Sequence, residues 1–244
     1  MSVVTEAAVA KAVMSYLVLE GWECWPEVEL PEGRADIVGV RPFPFLPHRR
    51  CVHIVETKTS WSLSLLEQAI SRRQYAHYVS LAAPTKVNNY FSKLCRREGI
   101  GLIRVHARGA ECDVSQWDAV IQQPALQRHK HGVRYFGPQR CLDALHEDQK
   151  RYTPGSTADA GYSTPWRRTM DRAAKYVAEH PGCTVKELAR AVEHHYSNAG
   201  GARQGFLIWL EKRADIEARK EHGAMRFYPK GAPVTPGLAL MYTP

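Results

Sequence analysis

The sequence predicts an α/β protein: a mixed sheet flanked by helices, followed by a small basic helical domain that ends in a β-hairpin. Three observations carry this expectation. Between residues 22 and 57 three strand-like runs follow one another without a helix, which calls for an antiparallel meander. From 62 to 105 helical and strand-like periods alternate, which adds crossover strands to the same sheet. Beyond a linker-like stretch at 150–164 the apolar period becomes helical and stays so as far as residue 213.

The elements follow in order. In residues 3–20, Val9, Val13, Tyr16 and Leu17 form a helical stripe, and Glu6 falls on the same face near the N-terminal end, where the helix dipole favours an acid. Gly21 stops the helix. Residues 22–30 read as a first strand, Pro31-Glu32-Gly33 as a turn and 35–40 as a second strand. Three prolines in 42–47 remove ladder donors, so that segment is expected to be a projecting loop. Residues 51–57 are apolar on both faces, as in a buried central strand. Ser62 or Ser64 caps a helix through Leu65, Leu66, Ala69, Ile70 and Tyr75 to about Tyr78. A short strand at 79–83, a helix at 86–98 and a strand at 100–105 complete the set, with 113–122 along a sheet edge.

Composition bounds the function. The 244 residues exceed a typical domain, which holds about 100–150, so two domains are expected. Apolar residues make up 44% and aromatic residues 9%, enough to build a core, and a formal charge of +8 favours a polyanionic partner. The six cysteines contain no C-x-x-C pair, which speaks against a zinc ribbon or a disulfide framework and for reduced thiols. There is no secretory pattern at the N-terminus, and no apolar run nears the ~20 residues that span a bilayer. A cytoplasmic setting without a membrane partner is expected.

The charges among the strands are the chemical signal. Asp36 interrupts an apolar run, while Glu56 and Lys58 stand two apart and so share one face of a strand. An isolated charge among Ile and Val costs on the order of several kcal/mol unless it is paired or bound to a metal. Two readings follow: a hard divalent cation held by two carboxylates beside a lysine, or a buried structural ion pair.

Glu6 on the first helix, Gly33-Arg34-Ala35-Asp36, Glu56-Thr57-Lys58 and Gln68 on the next helix together resemble the PD-(D/E)XK nuclease superfamily over residues 1–106. The superfamily's Pro-Asp is Ala35-Asp36 here. The resemblance implies a restriction endonuclease-like sheet and a Mg²⁺ ion, for which Mn²⁺ substitutes. Asp36 and Glu56 are then its direct ligands, with the Thr57 carbonyl as a third. It implies that Glu6 acts through a water or a second ion, that Lys58 orients the attacking water, and that Gln68 holds the lysine or a phosphate. Arg72 and Arg73, one turn beyond Gln68, are placed to grip a DNA backbone or to line a solvated helix face.

In the second half, Gln127-Arg128-His129-Lys130-His131 is basic, but its two histidines lack a third metal ligand nearby. Pro165 opens a helix to about 179 with Thr164 as cap, and Thr184-Val185-Lys186-Glu187 is a capping box for a second helix. Residues 196–201 read as a turn and 202–213 as a third helix packed through Phe206, Leu207, Trp209 and Leu210. Residues 216–219 and 225–228 form a basic hairpin. This set resembles a winged helix-turn-helix over 163–230. The resemblance implies that Asn198, Arg203 and Gln204 face DNA from the third helix, with Arg219, Lys220 and His222 in the wing. That span has 13 Lys and Arg against 8 Asp and Glu, an excess of +5. The expected organisation is a nuclease-like domain at 1–106, an extension and linker at 107–162, a DNA-binding domain at 163–230 and a tail at 231–244. The expected function is a metal-dependent DNA endonuclease, with a homodimer as one route to cutting both strands. The alternatives are a structure-specific repair or Holliday-junction-type nuclease, and a non-catalytic DNA-binding regulator.

Overall fold

The computed structural model describes residues 4–107, 117–127, 136–151, 165–196, 198–221 and 223–232. The chain divides into two compact units, Met1–Ser163 and Thr164–Pro244.

In the first unit six strands stand side by side in chain order: β1 (Glu23–Leu30), β2 (Gly33–Phe43), β3 (Leu46–Thr57), β4 (Tyr78–Ala83), β5 (Gly101–Ala107) and β6 (Trp117–Gln123). β1 to β3 form an antiparallel meander, β3–β4 and β4–β5 are parallel, and β6 closes the edge antiparallel. The apolar residues sort into two layers. Val9, Val13 and Leu17 of α1 (Glu6–Leu19) pack on Ile37, Val55 and Ile103. On the other face α2 (Leu63–Arg72), α3 (Asn89–Arg97) and α4 (Phe136–Asp143) cover Val38, Ile54, Leu81 and Leu102. Side-chain caps start the helices: Thr5 accepts from the Ala8 amide, Ser62 from Leu65 and Asn88 from Phe91.

Two features depart from the expected meander. Residues 42–47 are not a loop: β2 runs on to Phe43 and β3 begins at Leu46. The prolines are tolerated because pairing with β1 ends at Val40 and pairing with β4 begins at His53, so no outer neighbour needs their missing donors. The hairpin does project, and Phe45 at its tip is 94% exposed.

The second departure is a slip in alternation. Trp25 and Val28 on β1, and Ala35 and Val38 on β2, all enter the α2-side layer, although strict period two would send each pair to opposite faces. The slip occurs at Glu27, a buried residue with φ of 56°, a left-handed conformation rare outside glycine. Its place in the register, between Pro26↔Ile37 and Val28↔Ala35, is opposite Asp36. β2 also parts from β3 after Ile37↔Val55. The far end of the β1–β2 hairpin is tied to α2 through Arg72, and Asp36, one step past the last β2–β3 pair, stands at a gap in the ladder, the notch.

The second unit comprises α5 (Pro165–Glu179), β7 (Cys183–Thr184), α6 (Val185–Ala191), α7 (Ala199–Leu210), β8 (Ile216–Glu221) and β9 (Ala224–Pro229). Its antiparallel sheet has the order β7-β9-β8, and Met170, Leu188, Phe206, Leu210 and Phe227 fill its core. Thr184 and Glu187 form the capping box of α6. The third helix starts three residues before its expected position, because Asn198 accepts from the Gly201 amide at 2.8 Å and draws Gly200 and Gly201 into the first turn. Its inward face is Ala202, Phe206 and Leu210, while Leu207 and Trp209 turn outwards. The expected loop around His129 and His131, most of the expected linker and His222 lie outside the described residues. Among the described residues no helix is long and apolar enough to cross a membrane.

Candidate functional site

The notch gathers the charges that the strands carry. Past the last β2–β3 pair, Asp36 takes over as acceptor: its Oδ2 receives the Thr57 amide at 2.7 Å and the Thr57 hydroxyl at 3.1 Å. Glu56, one residue earlier and buried, accepts from Arg72 Nε at 2.7 Å through Oε1. Arg72 also donates to the carbonyls of Glu32 and Arg34, so it ties the β1–β2 turn to α2. On the α1 side, Lys58 donates to both oxygens of Glu6 at 3.0 and 3.1 Å. Both of these side chains remain 38% exposed.

Five ionisable groups, Glu6, Asp36, Glu56, Lys58 and Arg72, form one electrostatic set. Burial pushes Asp36 above the usual carboxylate range, opposed by the Thr57 bonds and by Lys58, and Glu6 adds to the rise. Burial, then repulsion from Asp36, push Glu56 up to about 7 against the pull of Arg72 and Lys58. Two carboxylates that each resist ionisation at one place favour a cation between them. Their donors suit one: Asp36 uses Oδ2 and Glu56 uses Oε1, and neither Asp36 Oδ1 nor Glu56 Oε2 has a hydrogen bond among the described residues. Such hard oxygens fit Mg²⁺, which keeps most of its waters and needs only one or two carboxylates. Among the described residues no group of three or more His, Cys, Asp or Glu is arranged to hold a metal. Glu6, the remaining acid of the set, is paired with Lys58.

Several expected roles change. Arg72 does not grip DNA, because it is buried on Glu56. Its spacing of seven and three from Leu65 and Ala69 sets it on the apolar face of α2, a signal legible in the sequence. Arg73 is paired with Glu98 at 2.5 Å, and so is not a free backbone clamp either. Thr57 meets Asp36 through its amide and hydroxyl donors. Lys58 is held by Glu6, and Gln68 lies exposed on α2 without a bond to it. Glu27 was given no role by its sequence context; it pairs with Arg34 and marks the slip opposite Asp36.

In the second unit Asn198 spends its carbonyl on the helix cap, not on a base edge. Arg219 is neutralised by a bidentate pair with Glu217, at 2.9 Å twice, and lies over the Tyr228 ring. Arg203, Gln204 and Lys220 are exposed, and among the described residues no acid pairs with either of the two cations. Comparison with known proteins found no matching family model, no matching curated protein and no matching solved structure.

Proposed function

We propose that the first unit is a Mg²⁺-dependent deoxyribonuclease of the PD-(D/E)XK type, and that the second unit is a winged helix that holds it on DNA. The observation that carries this reading is the notch itself. Asp36 and Glu56 come from adjacent antiparallel strands one step past Ile37↔Val55, repel one another, and are followed at once by the half-exposed ammonium of Lys58. The element order α1-β1-β2-β3-α2-β4, with β3 and β4 parallel, is the one that the superfamily resemblance implies. For the second unit, helix–strand–helix–helix–strand–strand with β9 central supports the winged reading.

Asp36 Oδ1 and Glu56 Oε2 would hold the ion, which when bound supplies Lewis acidity and a more acidic water. Thr57 fixes the Asp36 carboxylate with two donors. Arg72 anchors Glu56 through its other oxygen. Glu6 holds Lys58 at the surface, where the ammonium would meet a substrate phosphate and offset the negative charge that grows on it. A second reading, DNA binding without hydrolysis, is favoured by one observation: the Glu56–Arg72 pair satisfies the buried acid without any metal.

The test is plasmid nicking together with digestion of linear, branched and single-stranded DNA in Mg²⁺. Wild type should cut, EDTA should abolish cutting, and Asp36→Asn and Lys58→Ala should each cut about 10²–10³-fold more slowly. Equal cutting by all three proteins overturns the assignment. Binding without cutting by wild type establishes the second reading.

A further inference from the structure

We propose that the β2–β3 hairpin is a nucleic-acid-binding wedge, in which Phe45 inserts at a base step of duplex DNA and Arg49 and Arg50 hold the flanking backbone. This rests on DNA being the partner, but not on hydrolysis. Beyond Arg41↔Cys51 the hairpin stands as two strands alone, since β1 ends opposite Val40 and β4 begins opposite His53. Its register passes from Pro42↔Arg50 to Phe43↔Leu46, so Pro47, His48 and Arg49 bulge from the ladder. Pro44 and Pro47 stiffen the tip, and Phe45 between them is 94% exposed.

At that exposure the Phe45 ring buries almost nothing against the described residues and adds little to their core. Proteins that kink DNA use this kind of residue to part stacked bases. The charge agrees. No acid occurs between Asp36 and Glu56 in the sequence, and His48, Arg49 and Arg50 are exposed with no ion pair among the described residues. At the base of the hairpin a cavity of about 340 Å³ is lined by Phe43, His48, Arg49, Arg50 and, from α4, Pro138 and Gln139. A cationic wall with an amide opposite suits a phosphodiester and its sugar. The tip supplies an apolar wedge and the base supplies charge, which is the division found where protein kinks a duplex.

The experiment measures binding of the full chain to short aminopurine-labelled duplexes in EDTA, so that cleavage plays no part. Wild type should brighten the aminopurine, because unstacking relieves its quenching. Phe45→Ala should lose the brightening and bind about 5- to 150-fold more weakly, and Phe45→Tyr should restore both. Arg49→Ala with Arg50→Ala should lower the slope of log K against log salt by about two. Hairpin variants that bind, titrate with salt and brighten the probe like wild type overturn the proposal, as does a wild type that binds no DNA. Self-association lost with Phe45→Ala in sedimentation without DNA would assign the tip to a second copy instead. Binding that survives while Mg²⁺ cleavage never appears leaves the wedge standing and removes only the enzymatic reading.

Discussion

Glu56 lies between an acid and a base, and its protonation makes the notch measurable. Its pKa rises from 4.5 to about 7, so across that interval the folded chain keeps a proton that the unfolded chain has lost. The sign follows: the contribution of Glu56 to stability is full below its unfolded pKa and is lost as pH rises through its folded value near 7. Asp36, raised in the same direction by burial, adds to the slope. The urea midpoint of wild type should therefore fall between pH 4.5 and 7 relative to that of Glu56→Gln, whose side chain does not titrate. Millimolar Mg²⁺ should flatten the fall, because the ion competes with the proton for the same carboxylates. A wild-type profile parallel to that of the variant would mean that the carboxyl is not perturbed. Arg72 gives the complementary test. Above pH 7, where Glu56 is ionised, Arg72→Met strands its charge in a buried site and should cost up to about 3–5 kcal/mol in urea unfolding. Adding Glu56→Gln should recover part of that loss, since the two side chains share one interaction.

At the level of elements, α4 depends on one close approach. A Cβ on Gly137 would collide with the backbone carbonyl of Gln74, just past the end of α2, and backbone cannot swing aside as a side chain can. Gly137→Ala should destabilise the first unit by at least the ~1–3 kcal/mol typical of overpacking. The loss should be visible as a lower urea midpoint, whereas the variant Gly223→Ala, at an open turn, should show only the strain of its positive φ. The succession of strands and helices was legible in the sequence because turn residues bound each apolar run and period two separates strand from helix. The sequence left three things hidden, each for a physical reason. The proline rule forbids a ladder only where a neighbour needs the donor, and whether β1 and β4 reach Pro42 is a matter of sheet edges. The left-handed conformation of Glu27 runs against local propensity, so no pattern in the residues around it announces the slip. Gly200 and Gly201 read as a turn until Asn198 is seen to cap them. Arg72 is different. Its place on the apolar stripe of α2 was legible, but its charge drew the reading outwards.

On the scale of the whole molecule, the proposal divides cutting from holding. Asp36, Glu56 and Lys58 belong to one unit, while Arg203 and Lys220, unpaired with any acid among the described residues, belong to the other. Arg219 is poorly placed to meet a phosphate, because an arginine already held at two points by Glu217 must surrender that pair before it meets DNA. Two sets of variants should therefore separate. Asp36→Asn should lose cleavage and keep DNA affinity, since it removes charge from a notch that favours a cation. Lys220→Ala should weaken binding evenly across sequences and reduce the salt slope by about one, as a backbone contact does. Arg203→Ala, on the exposed face of α7, should cost about 1–3 kcal/mol at particular sites and relax the choice among them, if that helix reads bases. Binding isotherms at several salt concentrations, set beside nicking rates at saturating protein, distinguish these effects. Should Lys220→Ala and Arg203→Ala leave binding untouched while the hairpin variants abolish it, the second unit has another partner and DNA is held by the sheet domain alone.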